Sequence, residues 1–204
     1  MSFIAGFQHL PGYLSRPEQE HLLAEVRQVI AVAPLYAPAM PRTGKQLSVR
    51  MTNCGALGWL TDKPGGYRYQ ATHPVTGRAW PLMPDRLLAL WHKLADFPSP
   101  PEACLVNYYT GAARLGSHRD EDEADRSAPV LSVSLGDEAV FHAGGLKRSD
   151  PKTRLTLKSG DVVILGGTAR LAYHGIDRVM AGTSDLLAEG GRINLTLRRV
   201  TVPV

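Results

Sequence analysis

The sequence predicts an α+β protein in which two helices support an antiparallel sandwich or jelly-roll. Three observations carry that expectation. Helical periodicity is confined to 16–33 and 85–95. From Cys104 onward the pattern turns to short β runs, punctuated by Gly144-Gly145, Ser159-Gly160 and Gly166-Gly167. Finally, His118 and Asp120 lie far along the chain from His174. A double sheet lets such distant residues converge in its mouth.

The elements follow in order. Ser15 and Glu18 have capping-box spacing, and Pro17 suits a first helical turn. Leu22, Leu23, Val26, Val29 and Ile30 then recur at helical intervals, so 16–33 reads as an amphipathic helix. Residues 35–82 are broken by Gly and Pro and read as strands, turns and loops. Leu87, Leu88, Trp91 and Leu94 make one face of a second helix at 85–95. Cys104–Tyr109, Val130–Leu135, Ala139–Ala143, Arg154–Leu157, Val162–Leu165 and Arg192–Val200 read as strands. There is no internal repeat and no low-complexity segment. The 204 residues suit one domain, 1–204, with a real core.

Composition narrows the function classes. Hydrophobic residues make up 44%, as in ordinary globular proteins. No apolar run approaches the ~18 residues of a membrane span. The N-terminus carries no basic n-region or apolar h-region, so a cytoplasmic protein is expected. Cys54 and Cys104 have no CxxC spacing and are expected to be reduced core thiols. The net charge of +4 permits a polyanionic partner, but no Lys/Arg block forms a basic tail. Any nucleic-acid surface must therefore be assembled by folding. Nothing in the sequence requires a dimer, and a monomer is expected.

Chemistry concentrates in two places. His118 and Asp120 are two apart, so on an extended segment they point to the same side. With His174 they make two imidazoles and one carboxylate, the facial triad that leaves metal positions open in non-haem Fe(II) oxygenases. The final strand is the second place. Ile193, Leu195 and Leu197 share one face, and Arg192, Asn194, Thr196 and Arg198 share the other. Six residues of strand put the two arginines about 20 Å apart between Cα atoms. Leaning inward, their forks could hold the two ends of a short dicarboxylate. A strand with its polar face in solvent would alternate in the same way.

These motifs together resemble the AlkB family of Fe(II)/2-oxoglutarate-dependent dioxygenases, most closely its bacterial members. The likeness rests on Asn107-x-Tyr109, His118-x-Asp120-x-Asp122, Tyr173-His174-Gly175 and Arg192-x-Asn194-x-Thr196-x-Arg198. It extends to Met51–Gly55, Trp59, Tyr67–Tyr69, Val133–Gly136 and Gly144–Arg148, covering roughly 50–200. The resemblance implies a double-stranded β-helix (jelly-roll) core at 101–204 and a nucleotide-recognition lid within about 45–100. It implies iron ligands at His118, Asp120 and His174, and a 2-oxoglutarate site at Asn107, Tyr109, Arg192, Asn194 and Arg198. Arg192 would take the distal carboxylate with Tyr109, and Arg198 would lie near the metal. Trp59, Tyr67, Arg68, Tyr69, Asp122 and Arg148 would contact substrate.

The implied activity is oxidative demethylation of N-alkylated bases, of the 1-methyladenine and 3-methylcytosine type. Fe(II), 2-oxoglutarate and O2 are needed, and formaldehyde, succinate and CO2 are released. The implied partner is alkylated single- or double-stranded DNA, with RNA as a second candidate. Such a base must be extruded from a duplex to be reached, and Trp59, Tyr67 and Tyr69 offer faces for it to stack on. The segment between Trp59 and Tyr67 is one residue longer than the family pattern, with Pro64-Gly65-Gly66 inside it. Two other classes stay open. One is the same oxygenase chemistry on a protein or small molecule; the other is a non-catalytic jelly-roll that binds a metal or sugar. His142 is expected in a pocket wall or as a satisfied core residue. His9, His21, His73 and His92 are expected on the surface or on helix faces, and Glu121 and Glu123 in a solvated loop.

Overall fold

Both helices form where the apolar spacing placed them. The computed structural model describes residues 3–203. In chain order it contains β1 (Phe7–Leu10), α1 (Arg16–Val32), β2 (Arg50–Gly55), β3 (Gly58–Asp62), β4 (Gly66–Gln70) and α2 (Asp85–Leu94). Then follow β5 (Ala103–Tyr109), β6 (Leu115–His118), β7 (Val130–Gly136), β8 (Glu138–Ala143), β9 (Thr153–Leu157) and β10 (Val162–Leu165). A 3-10 turn at Gly167–Leu171 precedes β11 (His174–Met180) and β12 (Arg192–Arg198). At the start of α1 the Ser15 N–H donates to Glu18 Oε2 at 2.8 Å, as the capping box requires. Among the described residues no helix is long and apolar enough to cross a membrane.

The core is two facing antiparallel sheets, the jelly-roll that was expected. The larger runs β1-β10-β7-β12-β5-β2 and the smaller β6-β11-β8-β9. Period-2 alternation gives the large sheet two different faces. Leu131, Val133 and Leu135 of β7 and Ile193, Leu195 and Leu197 of β12 pack against Leu22, Val26, Leu87 and Trp91 of the helices. Burying each such side chain is worth about 1.5–3 kcal/mol. The other face looks into the sandwich, where Leu105, Val130, Val163 and Leu165 meet Phe141 and Ile176 of the small sheet. The polar residues of β12 therefore lie inside the sandwich, not in solvent.

A third, two-stranded sheet is the β3–β4 hairpin, paired only with itself among the described residues. The extra length before Tyr67 is absorbed in its turn, Lys63-Pro64-Gly65, which opens β4 at Gly66 with φ +66°. Leu60 anchors the hairpin in a small cluster with Ala33 and Trp80.

Some expectations need correction. β1, β6 and β11 were not anticipated; in β6 and β11, Gly116, Gly175 and Asp177 interrupt the apolar alternation that marks a strand, and β1 is only four residues long. The last strand ends at Arg198 rather than Val200. His73 is 2% exposed, not on the surface. Its Nε2–H donates to Pro34 O at 2.8 Å, and its Nδ1 accepts from Val75 N at 3.1 Å. Other expectations hold: His142 is a core residue, its Nδ1 2.7 Å from Asp177 Oδ1, and Cys54 and Cys104 are buried free thiols facing each other across β2 and β5.

Candidate active site

Strand pairing, rather than sequence proximity, brings the two histidines together. β6 and β11 set His118 directly opposite His174, with ring centroids 4.6 Å apart. His118 Nδ1 lies 2.9 Å from Gly116 O, and His174 Nδ1 lies 2.9 Å from Ala172 O. A carbonyl only accepts, so both Nδ1 atoms carry the proton and both Nε2 atoms keep a free lone pair. Asp120 follows the end of β6, in an irregular segment and not on the strand itself. Its Oδ1 is 3.9 Å from His118 Nε2, and its Oδ2 is 3.9 Å from His174 Nε2. The three ligand atoms lie within 4.8 Å of one another.

This trio fits a divalent metal. Asp120 Oδ2 is buried without a hydrogen-bond partner among the described residues. Such an oxygen is costly unless something occupies the position before it. Burial pushes the Asp120 carboxyl upward, but Arg198, then His174 and His118, outweigh it and hold it well below the usual carboxylate range. Burial, with His118 alongside, lowers His174 to about 4. Near neutral pH His174 is therefore a neutral imidazole beside an ionised Asp120, and with the His118 imidazole they make the donor set of a facial Fe(II) centre.

One cavity of about 420 Å³ contains the triad and extends along the inner face of the large sheet. At its far end lies Arg192, fully buried. Its Nη2 donates to Ser134 Oγ at 2.8 Å. Its Nε and Nη1 have no partner among the described residues, and burial lowers its pKa to about 10. A buried guanidinium with free donors calls for an anion, and a carboxylate matches the fork. Gly136 sits opposite Arg192 in the register with φ +87°, where a Cβ would come within 2.5 Å of Gly191 O, so the strand end requires glycine.

Tyr109 faces Arg192 from β5, and burial raises its phenol to about 12, so it remains a donor. Asn107 and Asn194 face each other one step along, with Asn194 Nδ2 donating to Ser132 Oγ at 2.6 Å. Arg198 does not point at the distal end. Its Nη2 donates to Asp120 Oδ1 at 2.8 Å, which leaves Oδ2 for the metal.

The lid side is less uniform. Trp59 and Tyr67 stack with centroids 5.9 Å apart at 22°, and Trp59 Nε1 donates to Asp122 Oδ2 at 2.7 Å. Both aromatics, with Asp122 and Arg148, line the cavity. Tyr69 does not join that stack; its hydroxyl donates inward to Glu123 Oε1. Arg68 points to the opposite face of the hairpin and binds Asp62 Oδ2 at 2.7 Å. Arg148 lies over the Tyr173 ring at 6.0 Å, and Arg119 lies over the same ring at 5.5 Å. Glu123 is buried against Arg170 Nη2 at 2.9 Å, not solvated.

Ser132, Ser134, Arg119, Arg170 and Glu123 also build the site and were missed by sequence reasoning. The period of β7 puts Ser132 and Ser134 on one face. That β7 lies beside β12 is a tertiary fact that no local pattern carries.

Residues 6–198 match the family described as the 2OG-Fe(II) oxygenase superfamily. The chain is 51% identical to the alpha-ketoglutarate-dependent dioxygenase AlkB homolog of Caulobacter vibrioides, covering 98% of this chain and 90% of that one. It is 44% identical to the alpha-ketoglutarate-dependent dioxygenase AlkB of Escherichia coli K12, covering 88% and 84%. The solved structure of OsALKBH1 is similar with a TM-score of 0.78 at 30% identity, covering 98% of this chain and 100% of that one. The buried triad and the free Arg192 fork thus stand in a chain that belongs to the 2OG-Fe(II) oxygenase superfamily and, within it, to the AlkB-type dioxygenases that require Fe(II), 2-oxoglutarate and O2.

Proposed function

We propose that this enzyme is an oxidative demethylase that repairs N-alkylated bases in DNA by direct reversal, with RNA as a second substrate. 1-Methyladenine and 3-methylcytosine are its lesion type. The observation that carries the reading is the stacked Trp59–Tyr67 pair, hydrogen-bonded to Asp122, at the mouth of the cavity that holds the triad. The named relatives support it, being AlkB dioxygenases.

The residues divide the work. An alkylated base cannot be reached inside a duplex, so it is extruded or taken from a single strand. Trp59 and Tyr67 give the base an aromatic face, worth about 1–3 kcal/mol. Methylation at these ring nitrogens leaves the base cationic, so the electron-rich faces and the Asp122 carboxylate favour it over the unmodified base. Arg192 and Tyr109 hold the distal carboxylate of 2-oxoglutarate, with Asn107 and Asn194 lining the route to the metal. His118, Asp120 and His174 hold Fe(II). When bound, Fe(II) and 2-oxoglutarate supply the O2 activation that hydroxylates the N-alkyl carbon. The hydroxylated product then loses formaldehyde, while 2-oxoglutarate ends as succinate and CO2. Arg148, over Tyr173, offers positive charge to flanking phosphates, whereas Arg119 over the same ring is paired with Glu121. The same reading takes the enzyme to be a cytoplasmic monomer, with the lid in 45–100 and the catalytic core in 101–204.

The test is incubation with Fe(II), 2-oxoglutarate and an oligonucleotide carrying 1-methyladenine or 3-methylcytosine, followed by mass spectrometry of the oligonucleotide. Loss of the methyl group, with matching succinate and formaldehyde, is the expected result. Hydroxylation of a peptide or small acid, with every oligonucleotide unchanged, would replace this reading with the alternative substrate class.

A further inference from the structure

The lid hairpin reaches the segment that carries the metal ligand Asp120 through two side chains. Trp59 and Tyr69 are directly opposed in the β3–β4 register. Trp59 Nε1 bonds Asp122, and the Tyr69 hydroxyl bonds Glu123. Only the second of these bonds enters the core.

Behind Asp120 lies a closed group of four charges. Arg198 Nη2 donates to Asp120 Oδ1 at 2.8 Å, and Arg198 Nε lies 3.4 Å from Glu123 Oε1. Arg170 Nη2 donates to Glu123 Oε2 at 2.9 Å, and Arg170 Nη1 donates to the Asp120 carbonyl at 2.6 Å. All four residues are buried. Asp120 is thus gripped at its carboxylate by one arginine and at its backbone by the other, and Glu123 links the two. The Tyr69 hydroxyl is the lid's contact with this group: it donates to Glu123 Oε1 and accepts from Arg198 Nη1 at 3.4 Å. Burial keeps that phenol well above its ordinary value, so it stays a donor.

We propose that Tyr69 is a positioning residue for the metal centre: its hydroxyl holds Glu123 off Arg198, so that Arg198 binds Asp120 Oδ1 and turns Oδ2 toward the metal. Without that bond, Glu123 Oε1 is left with Arg198 alone and draws the guanidinium from Asp120. A buried carboxylate cannot remain without its donors. The hairpin's seating is thereby linked to the metal ligand's orientation. Linkage is reciprocal, so a nucleic-acid strand that seats the lid also tightens the metal.

The experiment is Mn(II) titration of the whole protein, with free Mn(II) read by electron paramagnetic resonance. Tyr69→Phe keeps the ring and removes the hydroxyl, and its melting temperature checks the fold. Loss of an outer partner of a metal ligand typically weakens metal binding 10–100-fold, and about tenfold is expected here. Glu123→Gln removes the charge that competes for Arg198, so it should bind Mn(II) as well as wild type and should cancel the loss when combined with Tyr69→Phe. A folded Tyr69→Phe that binds Mn(II) within about twofold of wild type overturns the proposal, and so does a Glu123→Gln loss of about tenfold, which decides the matter if Tyr69→Phe does not fold. If oligonucleotide affinity alone falls in Tyr69→Phe, Tyr69 is a substrate contact and the proposal fails. The metal alone is the probe, so failure here is separate from failure of the demethylase reading.

Discussion

The inner face of the six-stranded sheet and the β3–β4 hairpin line the same cavity, yet they are held in different ways. Arg192, Asn194 and Arg198 stand on a central strand, paired on one side with β5 and on the other with β7. The apolar face behind them packs on both helices. Trp59 and Tyr67 stand on a hairpin that pairs only with itself among the described residues and rests on a small cluster around Leu60. Tyr67 is 50% exposed, whereas Arg192 is 0% exposed. The difference matches what each end must bind. A metal and a small dicarboxylate have fixed geometry and reward a prebuilt site. An extruded base on a strand needs a surface that yields and then closes.

Substitutions at the two ends should separate. The largest effect is expected from His174→Ala, which should abolish Mn(II) or Fe(II) binding and turnover while the metal-free melting temperature changes little. Retained metal stoichiometry would mean that the rigid end lies elsewhere. Arg192→Ala removes a charge-assisted fork worth about 1.5–3 kcal/mol, so 2-oxoglutarate affinity should fall roughly tenfold to a hundredfold. Calorimetric titration would show it, and oligonucleotide binding should hold. Trp59→Ala reverses that pattern. It should weaken binding of a methylated oligonucleotide by about 1–3 kcal/mol and leave 2-oxoglutarate affinity as it was.

Acid should act at the rigid end. Folded His174 is lowered to about 4, so between pH 6.5 and that value the unfolded chain takes up the proton first. Stability of the metal-free protein is therefore expected to be full above pH 6.5 and to fall as the pH drops toward 4. Asp120, held low, extends the loss at still lower pH. Urea midpoints at pH 7 and pH 5 measure it; equal midpoints would contradict the buried, neutral state of His174. The smallest effect belongs to the mouth. Arg148→Ala should reduce the salt slope of oligonucleotide binding by about one, and an unchanged slope would take Arg148 off the phosphate path.

Sequence reached the two ends unequally. The triad was legible because His118-x-Asp120 and His174 match a facial donor set, and β12 was legible from its strict alternation. Their partners were not, since Ser132 and Ser134 gain meaning only once β7 lies beside β12. Glu123 was misjudged for a related reason: an acidic run looks solvated until Arg170 arrives from the 3-10 turn. Tyr69 was grouped with Trp59 and Tyr67 by the family resemblance and as a third aromatic face for an extruded base. Trp59, Tyr67 and Tyr69 share a face of the hairpin, but only tertiary packing decides which ring meets the cavity and which hydroxyl turns to Glu123.

Hydrogen exchange followed by mass spectrometry tests the division between a prebuilt end and a yielding lid most directly. Amides of 103–109 and 192–198 should exchange slowest, and those of 58–70 much faster. Adding Mn(II), 2-oxoglutarate and a 1-methyladenine oligonucleotide should protect 58–70 strongly and 192–198 hardly at all. Equal protection of both regions without ligand, or an oligonucleotide that leaves 58–70 unchanged, would contradict the account.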